Sequence, residues 1–229
     1  MLKSVERLIV VAAPSCCGKT VFLAHLSRGA IPQIAAAIGV DDVARWRICD
    51  AMRLPELRQE QIDCLIVAYA IPAHEVLSGS FIDPSCDARL NIVSIARETA
   101  FVTLLASAAT MTSRLRERHR SSIKRIFLHP RKFFRTRQLT KRLLPIYRDP
   151  EKLHRVYDWW FKYTALVSKR GDWVVNAEAK YVLRGWFRRM TSTSDGGMWV
   201  ANADAKYVLH DGASWSKVLK RINAGGSNT

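Results

Sequence analysis

The sequence predicts an α/β fold: a parallel sheet in a three-layer α/β/α arrangement, with a basic helical insertion and C-terminal β-hairpins. Three observations predict it. Short apolar runs stand at 8–12, 64–70 and 101–106. Each has the length and composition of a buried parallel strand. Segments with helical spacing alternate with these runs, and a Gly-Lys-Thr turn joins the first run to the first helix.

The chain has 229 residues, enough for roughly one to two domains. Its hydrophobic content of 48% argues against disorder as the whole architecture. No apolar run approaches the ~20 residues of a membrane-spanning helix. Lys and Arg number 36 against 20 Asp and Glu, a net charge of +16. Such a balance calls for an anionic partner: phosphate, nucleic acid or an acidic membrane face. Five cysteines stand at 16, 17, 49, 64 and 86, without a CxxC pair or a histidine at ligand spacing. Free thiols in a reducing, cytoplasmic compartment are expected, rather than a disulfide scaffold or a zinc module. Residues 8–13 before Cys16 look like a lipoprotein signal, but the run is too short and Glu6 interrupts its approach.

The first element carries the most chemistry. Leu8 to Ala12 reads as a strand, and Ala13-Pro14-Ser15-Cys16-Cys17-Gly18-Lys19-Thr20 follows at once. Val21, Phe22, Leu23 and Leu26 then give helical periodicity up to Gly29. In a strand–turn–helix of this kind the backbone N–H groups converge on an anion. Gly18 provides the backbone freedom, Lys19 reaches the β- and γ-phosphates, and the Thr20 hydroxyl serves Mg²⁺. Ala13 stands where the G-x-x-x-x-G-K-[ST] pattern has its first glycine.

These residues resemble those of the P-loop NTPases, and within them the small-molecule kinase-like group of shikimate, gluconate and nucleotide kinases. The likeness is strongest over 7–29 and weaker over 101–120, where Phe101–Ala106 reads as a strand and Ser107 caps a helix with Met111, Leu115 and Arg114-Leu115-Arg116-Glu117-Arg118. The resemblance implies one P-loop domain over 1–229: a nucleotide-binding core at 1–112, a basic lid-like segment at 113–148, and a helix plus duplicated hairpin at 149–229. It implies ATP or GTP with Mg²⁺. Ala13 to Thr20, with Arg114 and Arg118, would hold the nucleotide.

Such an enzyme needs an acid beside the metal. The 64–70 run ends in Tyr69-Ala70 without one. Asp50, after a short strand at 46–49, is the candidate for metal and catalysis alongside Lys19 and Thr20; Glu75 and Asp83 come next. The leading reading is a phosphotransferase acting on a small anionic or carbohydrate-like substrate. A nucleic-acid-associated or regulatory NTPase and a sulfotransferase-like enzyme are the alternatives.

The remaining elements follow in order. A helix is expected over 86–97. The 114–142 stretch holds twelve Lys or Arg against the single acid Glu117, interleaved with Phe127, Phe133 and Phe134. It offers a surface to nucleic acid or an acidic membrane, and His129-Pro130 breaks it. Asp149-Pro150-Glu151 starts a helix with an apolar stripe from Leu153 to Thr164, expected to close at Gly171. Residues 173–183 recur at 199–209 with nine of eleven positions identical and a period of 26. Each copy reads as strand, turn, strand, one completing the sheet and the other adding a hairpin. Trp173 and Trp199 read as packing residues, with a paired carbohydrate-binding surface as the alternative. A closing helix follows around Trp215, Val218 and Leu219.

Overall fold

The computed structural model describes residues 4–40, 42–57, 61–81, 83–123, 129–176, 198–201 and 206–225. Long parallel strands form its centre: β1 (Ser4–Ala13), β3 (Gln61–Ala70) and β4 (Ala96–Leu105), flanked by β2 (Arg47–Asp50) and β5 (Gly171–Asn176). The antiparallel pair β6 (Met198–Ala201) and β7 (Lys206–Asp211) completes a sheet of order β2-β3-β1-β4-β5-β7-β6. The three apolar runs became the three central strands because every side chain from Leu8 to Ala13, and from Ala100 to Ala106, is buried. A strand covered on both faces has no use for alternation.

The strand order positions the site. From β1 the chain passes to β2 on one side, and from β3 it crosses to β4 on the other. Neighbouring strands β1 and β4 therefore send their C-terminal loops in opposite directions. Open parallel sheets bind ligands in the crevice at such a switch point. Right-handed crossovers place α1 (Lys19–Ser27) and α2 (Pro32–Ala37) over one face. The same rule places α3 (Ala73–Leu77), the single turn α4 (Ile92–Ile95), α5 (Ala108–Ile123), α6 (Pro130–Tyr147) and α7 (Pro150–Val167) over the other. The layout is compatible with a three-layer α/β/α fold.

Helix α7 covers the centre of its face. The apolar stripe predicted from Leu153 to Thr164 is buried. Trp160 stacks on Tyr69, meets Phe101 edge-on, and donates its indole N–H to Thr103 Oγ1 at 2.8 Å. Asp149 caps the helix through the amides of Glu151 and Lys152, as its sequence predicts. Helix α8 (Trp215–Gly225) closes the molecule, with Trp215 stacked on Phe161.

Two expectations need correction. Residues 86–97 do not form one helix. Short 3-10 turns at Pro84–Cys86 and Ala88–Leu90 precede α4, and Ala96 already begins β4. Asp87 caps the second turn through the amide of Arg89, and β4 starts early because Ala96 pairs with Val5 of β1. Nor does Gly171 close the 150–167 helix: the chain leaves it at Ser168, and Gly171 opens β5. The duplication divides as expected where it is described. The first copy supplies β5, which joins β4, and the second supplies β6 and β7, paired Trp199 with Val208. The first copy's returning strand and the 202–205 turn lie outside the described residues, as do 124–128 of the basic stretch. His129-Pro130 marks the start of α6. Among the described residues no helix is long and apolar enough to cross a membrane. Cys16, Cys17, Cys49 and Cys64 are free thiols.

Candidate functional site

Strand β1 delivers Ala13 and Pro14 to the C-terminal edge of the sheet at the switch point. The turn that follows has positive φ at Cys16 (71°) and Gly18 (111°). Only glycine takes the second value without strain, and a cysteine in the first costs of order 1 kcal/mol. Alternation of this sort turns successive amides inward into an anion-binding concavity. Helix α1 starts at Lys19 with no side-chain cap and no acid in its first turn. The amides of Gly18, Lys19 and Thr20 find no acceptor among the described residues.

Lys19 folds back over the same turn. Its Nζ donates to Ala13 O at 2.7 Å and Pro14 O at 3.5 Å, and it makes no ion pair among the described residues. Burial pushes its ammonium down to about 8, against the opposing pull of Cys17, Asp50 and Cys16. The turn thus brings together a half-buried ammonium and three amides without acceptors among the described residues, with no acid in the first turn of α1.

The second half of the chain holds the turn in place. Tyr147, at the end of α6, donates its hydroxyl to Ser15 O at 2.8 Å. Arg114 of α5 donates to Cys17 O at 2.8 Å. The buried Cys17 thiol donates to Leu104 O at 3.2 Å, and Tyr157 of α7 donates to that carbonyl at 3.0 Å. Cys17 therefore belongs to the packing of the turn, whereas Cys16 is half-buried, with Arg118 Nη1 at 4.0 Å from its sulfur. Thr20 is exposed beside them. Of the two arginines expected to face phosphate, Arg114 is committed to the turn's backbone and Arg118 stays exposed at its rim.

Asp50 ends β2 level with Ala68 of β3, which is itself level with Val11 of β1. It thus lies two strands from the turn, on the same edge of the sheet. Its Oδ1 accepts from the amide of Met52 at 2.9 Å, and its charge is felt by Lys19. Asp83 caps a turn through the amide of Ser85, which holds its carboxyl below the usual range, and Glu75 lies in the first turn of α3. Neither is among the charges felt by Lys19, as Asp50 is.

Sequence reasoning passed over Asp87. It is buried, accepts from Tyr69 Oη at 2.7 Å, and pairs with Arg89, whose guanidinium lies over the Tyr69 ring. Burial works against its charge, but the bonds from Arg89 and Tyr69 prevail and keep it ionised below the usual range. The strand that ends without an acid thus borrows one through its tyrosine. No group of three or more His, Cys, Asp or Glu that could hold a metal ion gathers among the described residues.

No protein-family model matches the chain. No curated protein and no solved structure matches it either.

Proposed function

We propose that the chain binds ATP or GTP on the 13–20 turn and is a kinase-like phosphotransferase acting on a small anionic or carbohydrate-like acceptor. The uncapped N-terminus of α1, with no acid in its first turn and Lys19 folded over the preceding turn, carries this reading. The amides of Gly18, Lys19 and Thr20 and the Lys19 ammonium would hold the β- and γ-phosphates. Arg118 at the rim would take a further phosphate oxygen. Arg114, Tyr147 and Tyr157 are positioning residues that keep the turn in its phosphate-ready shape. The Thr20 hydroxyl would serve Mg²⁺, which would supply charge neutralisation on the phosphates, with Asp50 at the metal or at the attacking hydroxyl. Four free thiols accord with a cytoplasmic setting.

In the reaction an acceptor hydroxyl oxygen bonds to the γ-phosphorus as the bond to the β–γ bridging oxygen breaks. Placed at the attacking hydroxyl rather than at the metal, Asp50 would take its proton as general base. Turnover of Mg-ATP and Mg-GTP with sugar, polyol and acidic acceptors tests the reading. Asp50→Asn should keep nucleotide binding and lower turnover about 10²–10⁴-fold. Unchanged turnover removes Asp50 from the reaction, and a parent protein that transfers phosphate to none of these acceptors overturns the phosphotransferase reading. An NTPase working on nucleic acid is the second reading, favoured by the basic face of α5 and α6.

A further inference from the structure

Helices α5 and α6 pack antiparallel: Thr112 Oγ1 donates to Tyr147 O at 3.0 Å at one end, and His119 stacks on Phe133 at the other. Their apolar sides face inward, with Met111, Leu115, Thr136, Leu143, Ile146 and Tyr147 buried. The outward side is cationic. Arg116, Arg118 and Arg120 of α5 and Arg131, Arg135, Arg137, Lys141 and Arg142 of α6 are all exposed. None of them pairs with a carboxylate among the described residues. Arg116 and Arg120, Arg131 and Arg135, and Arg137 and Lys141 are spaced four residues apart on one helix, where like charges repel. Elsewhere some surface cations do pair, Arg97 with Glu6, Lys162 with Asp158 and Arg53 with Glu56, while Arg28, Arg45, Arg155 and Lys217 are exposed without an ion pair among the described residues. What sets α5 and α6 apart is density, since Glu117 is the single acid across both helices.

Two further observations select the partner. Seven of the eight cations are arginine, whose planar fork fits phosphate oxygens two at a time. An aromatic strip, His119–Phe133–Phe134, runs among them and ends in Phe134, which is 56% exposed. A membrane surface is poorly served, because the apolar side an interfacial helix would insert is already buried against the fold. Cations spread over an exposed face with an aromatic ring among them match the backbone and bases of a single strand. From Arg131 to Arg142 the face extends about 16 Å along α6, the reach of a few nucleotides. We propose that the outer face of α5 and α6 binds single-stranded nucleic acid, with its arginines on the phosphates and Phe134 stacked on a base. This surface does not rest on the nucleotide reading, although Arg118 lies at the rim of both.

Anisotropy of a fluorescein-labelled oligothymidylate, measured over a range of salt concentrations without nucleotide, tests the proposal. Affinity should fall with salt at a log–log slope of about −0.7 per phosphate neutralised. Changing Arg131, Arg135, Arg137 and Arg142 to Gln should weaken binding more than about tenfold and flatten the slope by about two to three. An equal-charge control, Arg28, Arg45, Arg155 and Lys217 to Gln, should change affinity less than about twofold. Phe134→Ala should weaken oligothymidylate about tenfold and leave inorganic polyphosphate unaffected. Equal losses in the control and the α6 set would reduce the effect to net charge and overturn the proposal. So would binding to phosphatidylserine vesicles without binding to the oligonucleotide, or a Phe134→Ala protein that binds the oligonucleotide as the parent does.

Discussion

The turn at 13–20 and the outer face of α5–α6 use the same kind of charge in opposite ways. At the turn a single lysine is half-buried and folded on its own backbone, and the turn beneath it is held by Tyr147 and Arg114 from two later helices. On the helical face eight cations stand in water with little to fix them. A desolvated charge interacts strongly but over a small volume, whereas exposed charges act weakly and together. One arrangement fits a compact anion held in one pose; the other fits a long anion gripped anywhere along its length. Arg114 and Arg118 join the two regions, since α5 touches the turn with its inner side and solvent with its outer side.

The sharpest way to break this contrast is to remove the buried charge. Lys19→Met should stabilise the nucleotide-free protein by about 1–3 kcal/mol near pH 7, because an ammonium held at about 8 instead of 10.5 opposes folding. The cost of that charge is fully present below about pH 8 and fades as pH rises toward 10.5, so the gain should fade with it. Thermal melts of both proteins across this pH range check the sign. A destabilised Lys19→Met protein would mean that the bonds to Ala13 and Pro14 outweigh the burial of charge. No matching gain is expected on the outer face, where Arg137→Gln should shift stability by less than about 0.5 kcal/mol.

Tyr147→Phe probes the clamp more gently. It leaves Ser15 O without its hydroxyl donor and should cost about 0.5–1.5 kcal/mol by denaturant titration. Nucleotide affinity should drop with it, while oligothymidylate affinity stays unchanged. A Tyr147→Phe protein with parental nucleotide affinity would show that the turn keeps its shape without the clamp.

The core of this picture is legible in the sequence where one segment carries its own signal. The apolar runs at 8–12 and 101–106 are buried throughout, and 64–70 is buried but for Ala68 and Ala70, so composition alone marks them as strands. Gly18-Lys19-Thr20 between a strand and a helix marks the turn. The strand starts are not legible, because Glu6 and Arg97 interrupt the apolar pattern; only the fold shows them paired across the sheet at 2.6 Å. The 86–97 segment misleads for a similar reason, since Asp87 is fixed by Tyr69, a partner from another element. Tyr147 and Tyr157 read as packing in any local view. Their hydroxyl partners, Ser15 and Leu104, lie far away in the chain, and no spacing rule reaches that distance.

Calorimetric titration of Mg-ATP and Mg-GTP into the parent and Lys19→Met proteins, near pH 7 and near pH 9, tests the anion site most directly. A lysine at about 8 must take up a proton when it meets phosphate at the higher pH. The parent should therefore bind one of these nucleotides about tenfold more weakly near pH 9 than near pH 7, with a heat that depends on the buffer's ionisation enthalpy. Lys19→Met should bind about 10- to 100-fold more weakly than the parent near pH 7 and show little pH dependence. Equal affinity of the two proteins, or a parent that binds neither nucleotide, would contradict the assignment of the 13–20 turn as a phosphate site.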